Sequence, residues 1–244
     1  MPTPVLDISK DPAALAASAV EKFIMVAGVA IAQQGKFAVA FSGGSTPKAM
    51  FQLLASPTVA SRVDWSSVEV YFVDERCVPP EHPDSNFGMA NANLLSKVPL
   101  APANVHRMKG EIDPNTAAIE YGKMLKARFG DGGVDLMFLG MGEDGHTASL
   151  FPHTPATKET HHRCVAQHVE HSTTGDSWRI TLTAPFINRS TEIAVLVAGK
   201  DKAAIVKAVL MQPRDAEKYP VQLIEPASGH MSWMLDEAAA SQLK

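Results

Sequence analysis

Residues 134–152 read VDLMFLGMGEDGHTASLFP, and the architecture turns on them. Residues 134–139 form an apolar run of the kind that makes a buried strand. Three glycines follow, Gly140, Gly142 and Gly145, which let the backbone turn sharply and approach a ligand closely. The turn carries a carboxylate, Asp144, and an imidazole, His146, two residues apart. A histidine on a glycine-rich loop at the end of a buried strand is placed for proton transfer near neutral pH. A lone histidine is more often a packing residue that caps a carbonyl. Here the acid, the glycines and two similar loops elsewhere favour chemistry.

Outward from this segment, short apolar runs at residues 37–41, 68–73, 191–198 and 221–224 read as further strands. Residues 179–183 alternate polar and apolar side chains, as expected of a strand nearer an edge. Helical patterns cover residues 13–33, 47–54, 203–211 and 232–243, the first with Pro12 in its first turn and Gly35 past its end. The alternation predicts an α/β fold with a mostly parallel sheet covered by helices. Polar loops at residues 42–46, 74–76, 140–146 and 199–202 each follow a strand. Ligands of open α/β sheets bind outside the carboxyl ends of the strands, so four such loops predict one cleft. No Pro/Gly/Ser linker divides the chain, which reads as one domain over residues 1–244, with residues 151–177 as a long surface excursion.

Composition narrows the function classes. The 244 residues are 45% apolar and 20% charged, ordinary for a globular protein. A net charge of −4 and the absence of basic runs argue against a nucleic-acid partner. Cys77 and Cys164 do not make a disulfide framework, so a reducing compartment, the cytoplasm, is expected. Residues 1–10 lack the apolar core of a signal peptide. Residues 13–33 are interrupted by Glu21 and Lys22, and no window is expected to span a membrane. His153, His161, His162, Cys164, His168 and His171 crowd one region, but their spacing matches no zinc motif and no metal is expected.

Ser42-Gly43-Gly44-Ser45-Thr46-Pro47 joins a strand to a helix. With Pro47 at the first helical position and Thr46 as N-cap, it presents free N–H groups to an anion. It is neither a Walker A motif nor a G-x-G-x-x-G fingerprint, so no nucleotide is expected. By itself it is as readily a tight turn that binds nothing. Lys202 or Lys200 in the Gly199-Lys200-Asp201-Lys202 turn, and Arg179 at the start of its strand, can reach the same anion. Asp74 and Arg76, two apart at a strand end, project to one side. They either pair with each other or bind substrate. His82-Pro83-Asp84-Ser85-Asn86 makes a polar lip nearby. There is no G-x-S-x-G elbow, and Cys77, although Arg76 beside it can lower a thiol pKa, reads as a bystander.

Taken together, residues 41–47, 73–76 with Ser85-Asn86, 140–152, 199–202 and 229–239 with Trp233 resemble the successive signatures of 6-phosphogluconolactonases. The resemblance spans nearly the whole chain. It implies a Rossmann-like sheet shared with amino-sugar-phosphate isomerases and deaminases. It also implies cofactor-free hydrolysis of 6-phospho-D-glucono-1,5-lactone, a step of the oxidative pentose phosphate pathway. His146 is then the general base, and Asp74, Arg76 and Lys202 belong to the substrate site. On this reading Asp144 or a backbone carbonyl fixes the imidazole tautomer, and Arg76 or loop N–H groups bind the oxyanion. Gly43, Gly44, Ser45, Thr46, Lys202 and Arg179 hold the phosphate. Glucosamine-6-phosphate deaminases have a similar Asp-Gly-His loop but continue with Phe-Asn-Glu-Pro, where this chain has Phe151 in place of the glutamate, and carry an aromatic residue where it has Arg76. The alternatives are such a deaminase or a sugar-phosphate-sensing module, although no helix-turn-helix pattern precedes the sheet. A monomer or homodimer is expected.

Overall fold

Strands buried on both faces need unbroken apolar runs, and the computed structural model, which describes residues 5–170, 177–226 and 228–243, builds the middle of its sheet from such runs. In chain order the elements are β1 (Val5–Ser9), α1 (Pro12–Gln34), β2 (Phe37–Phe41), α2 (Ser45–Leu54), α3 (Pro57–Ala60), β3 (Val68–Phe72), β4 (Asp74–Arg76) and α4 (Asn86–Asn93). Then follow α5 (Pro114–Phe129), β5 (Leu136–Gly140), β6 (Cys164–Val169), β7 (Ser177–Leu182), α6 (Ala184–Ile187), β8 (Glu192–Val197), α7 (Ala203–Met211) and β9 (His230–Asp236). Six strands form a parallel sheet in the order β1-β9-β8-β5-β2-β3. A second, antiparallel sheet has the order β4-β7-β6.

The two-residue period of the strands sends alternate side chains into two cores. Phe37, Phe41 and Phe138 join Phe23 of α1, Phe51 of α2 and Trp65 on one face. Ala38, Tyr71, Met137 and Leu139 join α5, α7 and the small sheet on the other. The parallel α/β architecture is as expected, with helices on both faces.

Helix α1 starts where Asp11 accepts a hydrogen bond from the Ala14 N–H at 2.8 Å, and it stops at Gly35 in a left-handed conformation. By length and composition it is apolar enough to cross a membrane, contrary to the expectation that no window would be. Here Leu15, Ala19, Phe23 and Ala27 are buried against the sheet, while Met25 and Val29 face outward.

Four other expectations are corrected. Residues 221–224 are not a strand but lie largely in a 3-10 turn, Pro220–Leu223, because so short an apolar run carries no usable period. Residues 232–243 are not a helix: β9 runs between β1 and β8, and turns follow it. Strand pairing overrode a helix-like apolar spacing there. β7 is not an edge strand but the centre of the small sheet. The supposed excursion over residues 151–177 contains a 3-10 turn, Pro155–Lys158, and β6. The part of that stretch at residues 171–176, with His171, lies outside the described residues.

Candidate active site

Parallel strands leave their carboxyl ends on one rim, and the small sheet closes over that rim. A cleft of about 710 Å³ opens between them. Gly43, Gly44, Ser45, Thr46, Asp74, Arg76, Asp144, His146, Arg179 and Lys202 all line it, whereas Lys200 does not.

The turn after β2 is held from below: Ser42 Oγ donates to the Phe138 carbonyl at 2.8 Å. Gly44 adopts φ 110° and is itself the N-cap. Helix α2 therefore begins at Ser45, with Thr46 inside its first turn rather than capping it, and no side chain caps it. The first-turn N–H groups have no intrahelical partners, which is the arrangement that attracts an anion. Gly43 is needed for a different reason. A Cβ there would lie 1.8 Å from Asn86 Oδ1.

Asp74 is nearly buried, at 8% exposure. It does not close onto Arg76. Its Oδ2 accepts from Ser149 Oγ at 2.7 Å and its Oδ1 from Asn86 Nδ2 at 3.1 Å. Arg76 Nη1 donates to the Asp84 carbonyl at 2.8 Å, and its Nε is buried without a partner. Between them Glu75 points inward and accepts from the N–H groups of Arg76, Asn86 and Phe87 at 2.7–2.8 Å and from Ser85 Oγ at 3.0 Å. Burial pushes its pKa up, against the downward pull of those four bonds. Arg179, 5% exposed, faces Arg76 across the β4–β7 pair. Burial, then the Arg76 charge, depresses its pKa.

The loop after β5 carries the imidazole. His146 Nδ1 lies 2.6 Å from Asp144 Oδ1, and the His146 N–H donates to the same oxygen at 3.1 Å. Burial raises the Asp144 pKa, but the His146 hydrogen bond, its charge and the backbone N–H outweigh that and hold it low. The His146 ring packs on Phe151 at 4.2 Å between centroids. A Cβ on Gly142 would sit 2.1 Å from His146 Nδ1. Gly145 has φ 79°, and its carbonyl accepts from the Val221 N–H at 2.9 Å. Ala148 also takes a left-handed φ of 51°, uncommon for a residue with a Cβ, and is followed directly by Ser149.

Several candidates are not drawn in. Burial pushes the Cys77 thiol up to about 11, with Arg179 lowering it less, which fits the reading of Cys77 as a bystander. Among the described residues, no group of three His, Cys, Asp or Glu side chains could hold a metal. His162 pairs with Glu159, His153 lies near Glu217, and His168 packs on Trp178.

Sequence reasoning gave no role to Ser149 or Glu75, and placed Asn86 on a lip and within a family signature without a role of its own. Ser149 stood inside the quoted loop without a sign of its partner, which lies 75 residues away.

The geometry has parallels in known proteins. Residues 10–233 match the family model described as glucosamine-6-phosphate isomerases/6-phosphogluconolactonase. The chain is 34% identical over 244 residues to a 6-phosphogluconolactonase of Nostoc, covering 98% of each. It is 38% identical over 241 residues to a rice protein named "Probable 6-phosphogluconolactonase 3, chloroplastic", covering 94% of this chain and 73% of that one. The solved 6-phosphogluconolactonase of Trypanosoma brucei superposes with a TM-score of 0.87 at 27% identity over 99% of both chains. The rice relative's name places that protein in the chloroplast. By these likenesses the chain belongs to the glucosamine-6-phosphate isomerase/6-phosphogluconolactonase family.

Proposed function

We propose that this protein hydrolyses 6-phospho-D-glucono-1,5-lactone to 6-phospho-D-gluconate, without a cofactor and in a reducing compartment, the cytoplasm. One observation carries the reading: the His146–Asp144 pair faces the same cleft as the open N-terminus of α2 and Lys202. A proton-transfer group and an anion site thus share a sugar-phosphate-sized space.

The Asp144 carboxylate against Nδ1 favours the tautomer with the proton on Nδ1, leaving Nε2 basic. Nε2 takes a proton from water as the water oxygen bonds to lactone C1, and the carbonyl electrons move to the oxygen. Arg76 stabilises that oxyanion, an effect worth roughly 3–4 kcal/mol per good donor. Collapse breaks the bond from C1 to the ring oxygen, which takes the proton back from the imidazolium and leaves as the 5-hydroxyl. Ser45, Thr46, the backbone of Gly43 and Gly44, Lys202 and Arg179 hold the phosphate. Remote binding energy is thereby converted into positioning. Asp74, steadied by Ser149 and Asn86, keeps lone pairs for sugar hydroxyls.

The deaminase reading is disfavoured because Phe151 occupies the place of its glutamate and packs on His146. The test is His146→Ala, assayed at mildly acidic pH against spontaneous lactone opening. Turnover should fall to background while 6-phosphogluconate still binds, and the wild type should release no ammonia from glucosamine 6-phosphate. Unchanged turnover in the variant would refute the base assignment.

A further inference from the structure

Among the described residues the most deeply buried carboxylate, Asp236, has no task in the hydrolysis. Asp236 ends β9 and is 1% exposed. Among the described residues no lysine, arginine or histidine lies within ion-pair distance of it. An unpaired buried carboxylate is costly unless hydrogen bonds compensate, and here backbone groups do so. Both Asp236 oxygens lie 3.1 Å from the Gly199 nitrogen, and Oδ1 accepts from the Ala239 N–H at 2.7 Å.

Gly199 is the hinge by which the chain leaves β8. It adopts φ 104°, and a Cβ there would lie 2.4 Å from Asp201 Oδ1. Its carbonyl accepts from the Lys202 N–H at 3.1 Å, closing the turn that brings Lys202 to the cleft. The parallel register pairs Val197 with Leu235, so Asp236 stands one step beyond, beside the start of that turn.

The geometry points to Asp236 as the positioning residue for Lys202: it clamps the Gly199 peptide and so sets where the lysine meets the substrate phosphate. This rests on the phosphate role given to Lys202 under the proposed function. Asp236 touches no substrate, so its loss acts on binding of the phosphorylated end and spares the chemistry at C1.

The experiment is a double-mutant cycle with Asp236→Asn and Lys202→Ala, reading kcat and KM for the phosphorylated lactone and Kd for 6-phosphogluconate. Asp236→Asn should raise KM and Kd about ten-fold and change kcat less than about three-fold. In the Lys202→Ala background it should add almost nothing, because coupled residues are not additive. Far-UV circular dichroism and a melt establish folding, and Asp236→Ser, which keeps one acceptor oxygen, replaces the amide if that variant does not fold. If Lys202→Ala raises KM and the Asp236 effect multiplies fully on top, the clamp is refuted and the phosphate site stands. A kcat loss at unchanged KM refutes it equally. If Lys202→Ala leaves KM unchanged, the phosphate assignment fails, and the clamp fails with it.

Discussion

A 2.6 Å contact joins His146 Nδ1 to Asp144, and the ring lies so close to Gly142 that no other residue leaves it room. Both facts belong to residues separated by a few bonds, which is why this loop is legible in the sequence. Asp144→Asn keeps the shape but removes the charge and offers an N–H where the imidazole needs an acceptor. Its kcat should fall by about 10²–10⁴-fold with KM little changed, by analogy with other acid–histidine pairs. Steady-state kinetics on a variant with an unchanged melt checks this. Cys77 reads as a bystander in the chain despite the arginine beside it, and burial, which raises the thiol pKa, agrees.

Between elements, Glu75 fastens β4 to the start of α4 through three hydrogen bonds, from Ser85, Asn86 and Phe87. Through that joint Asn86 reaches Asp74 and Arg76 is held at the rim. Glu75→Gln sets an amide donor among N–H donors. It should destabilise the fold by about 1–3 kcal/mol, the usual cost of an unsatisfied buried group. The melting temperature should drop by about 2–4 °C per kcal/mol, and KM should rise because two cleft residues lose their anchor. A thermal melt beside steady-state kinetics tests both. Legibility at this scale was uneven for a physical reason. β2, β3, β5 and β8 are buried on both faces, so their apolar runs announce them. β4, β6 and β7 carry polar residues that turn to the cleft or the surface, and their pairing depends on partners far along the chain. β9 was misread because its apolar residues and those of the turns after it mimic a helical spacing.

Over the whole molecule, charge is concentrated at a second place. Glu69 on the edge strand β3 bonds Lys36 at 2.8 Å, Arg128 at 2.8 Å and Tyr71 Oη at 3.1 Å. Burial alone would raise its pKa, but these partners pull it down to about 2 from the usual 4.5. A carboxyl depressed in the folded state stabilises it above the unfolded pKa and loses that contribution as pH falls. The window here is pH 4.5 down to about 2. Glu69→Gln should therefore lower stability near pH 7 by about 1–2 kcal/mol, discounted because Lys36 and Arg128 are partly exposed. The deficit should shrink through that window, as urea melts at several pH values would show.

The chain alone was enough to predict a parallel α/β sheet, a glycine-histidine loop and a phosphate-type turn at strand ends. Each is written in residues within about ten positions of one another, where backbone freedom and side-chain burial act locally. Folding in space supplied the small antiparallel sheet, the Ser149–Asp74–Asn86 contacts, the Glu75 joint and the Asp236 clamp. The side-chain contacts join groups 10–75 residues apart, and β4 pairs with β7 across still more of the chain. Only packing brings such groups within hydrogen-bond reach, and only burial makes their bonds matter.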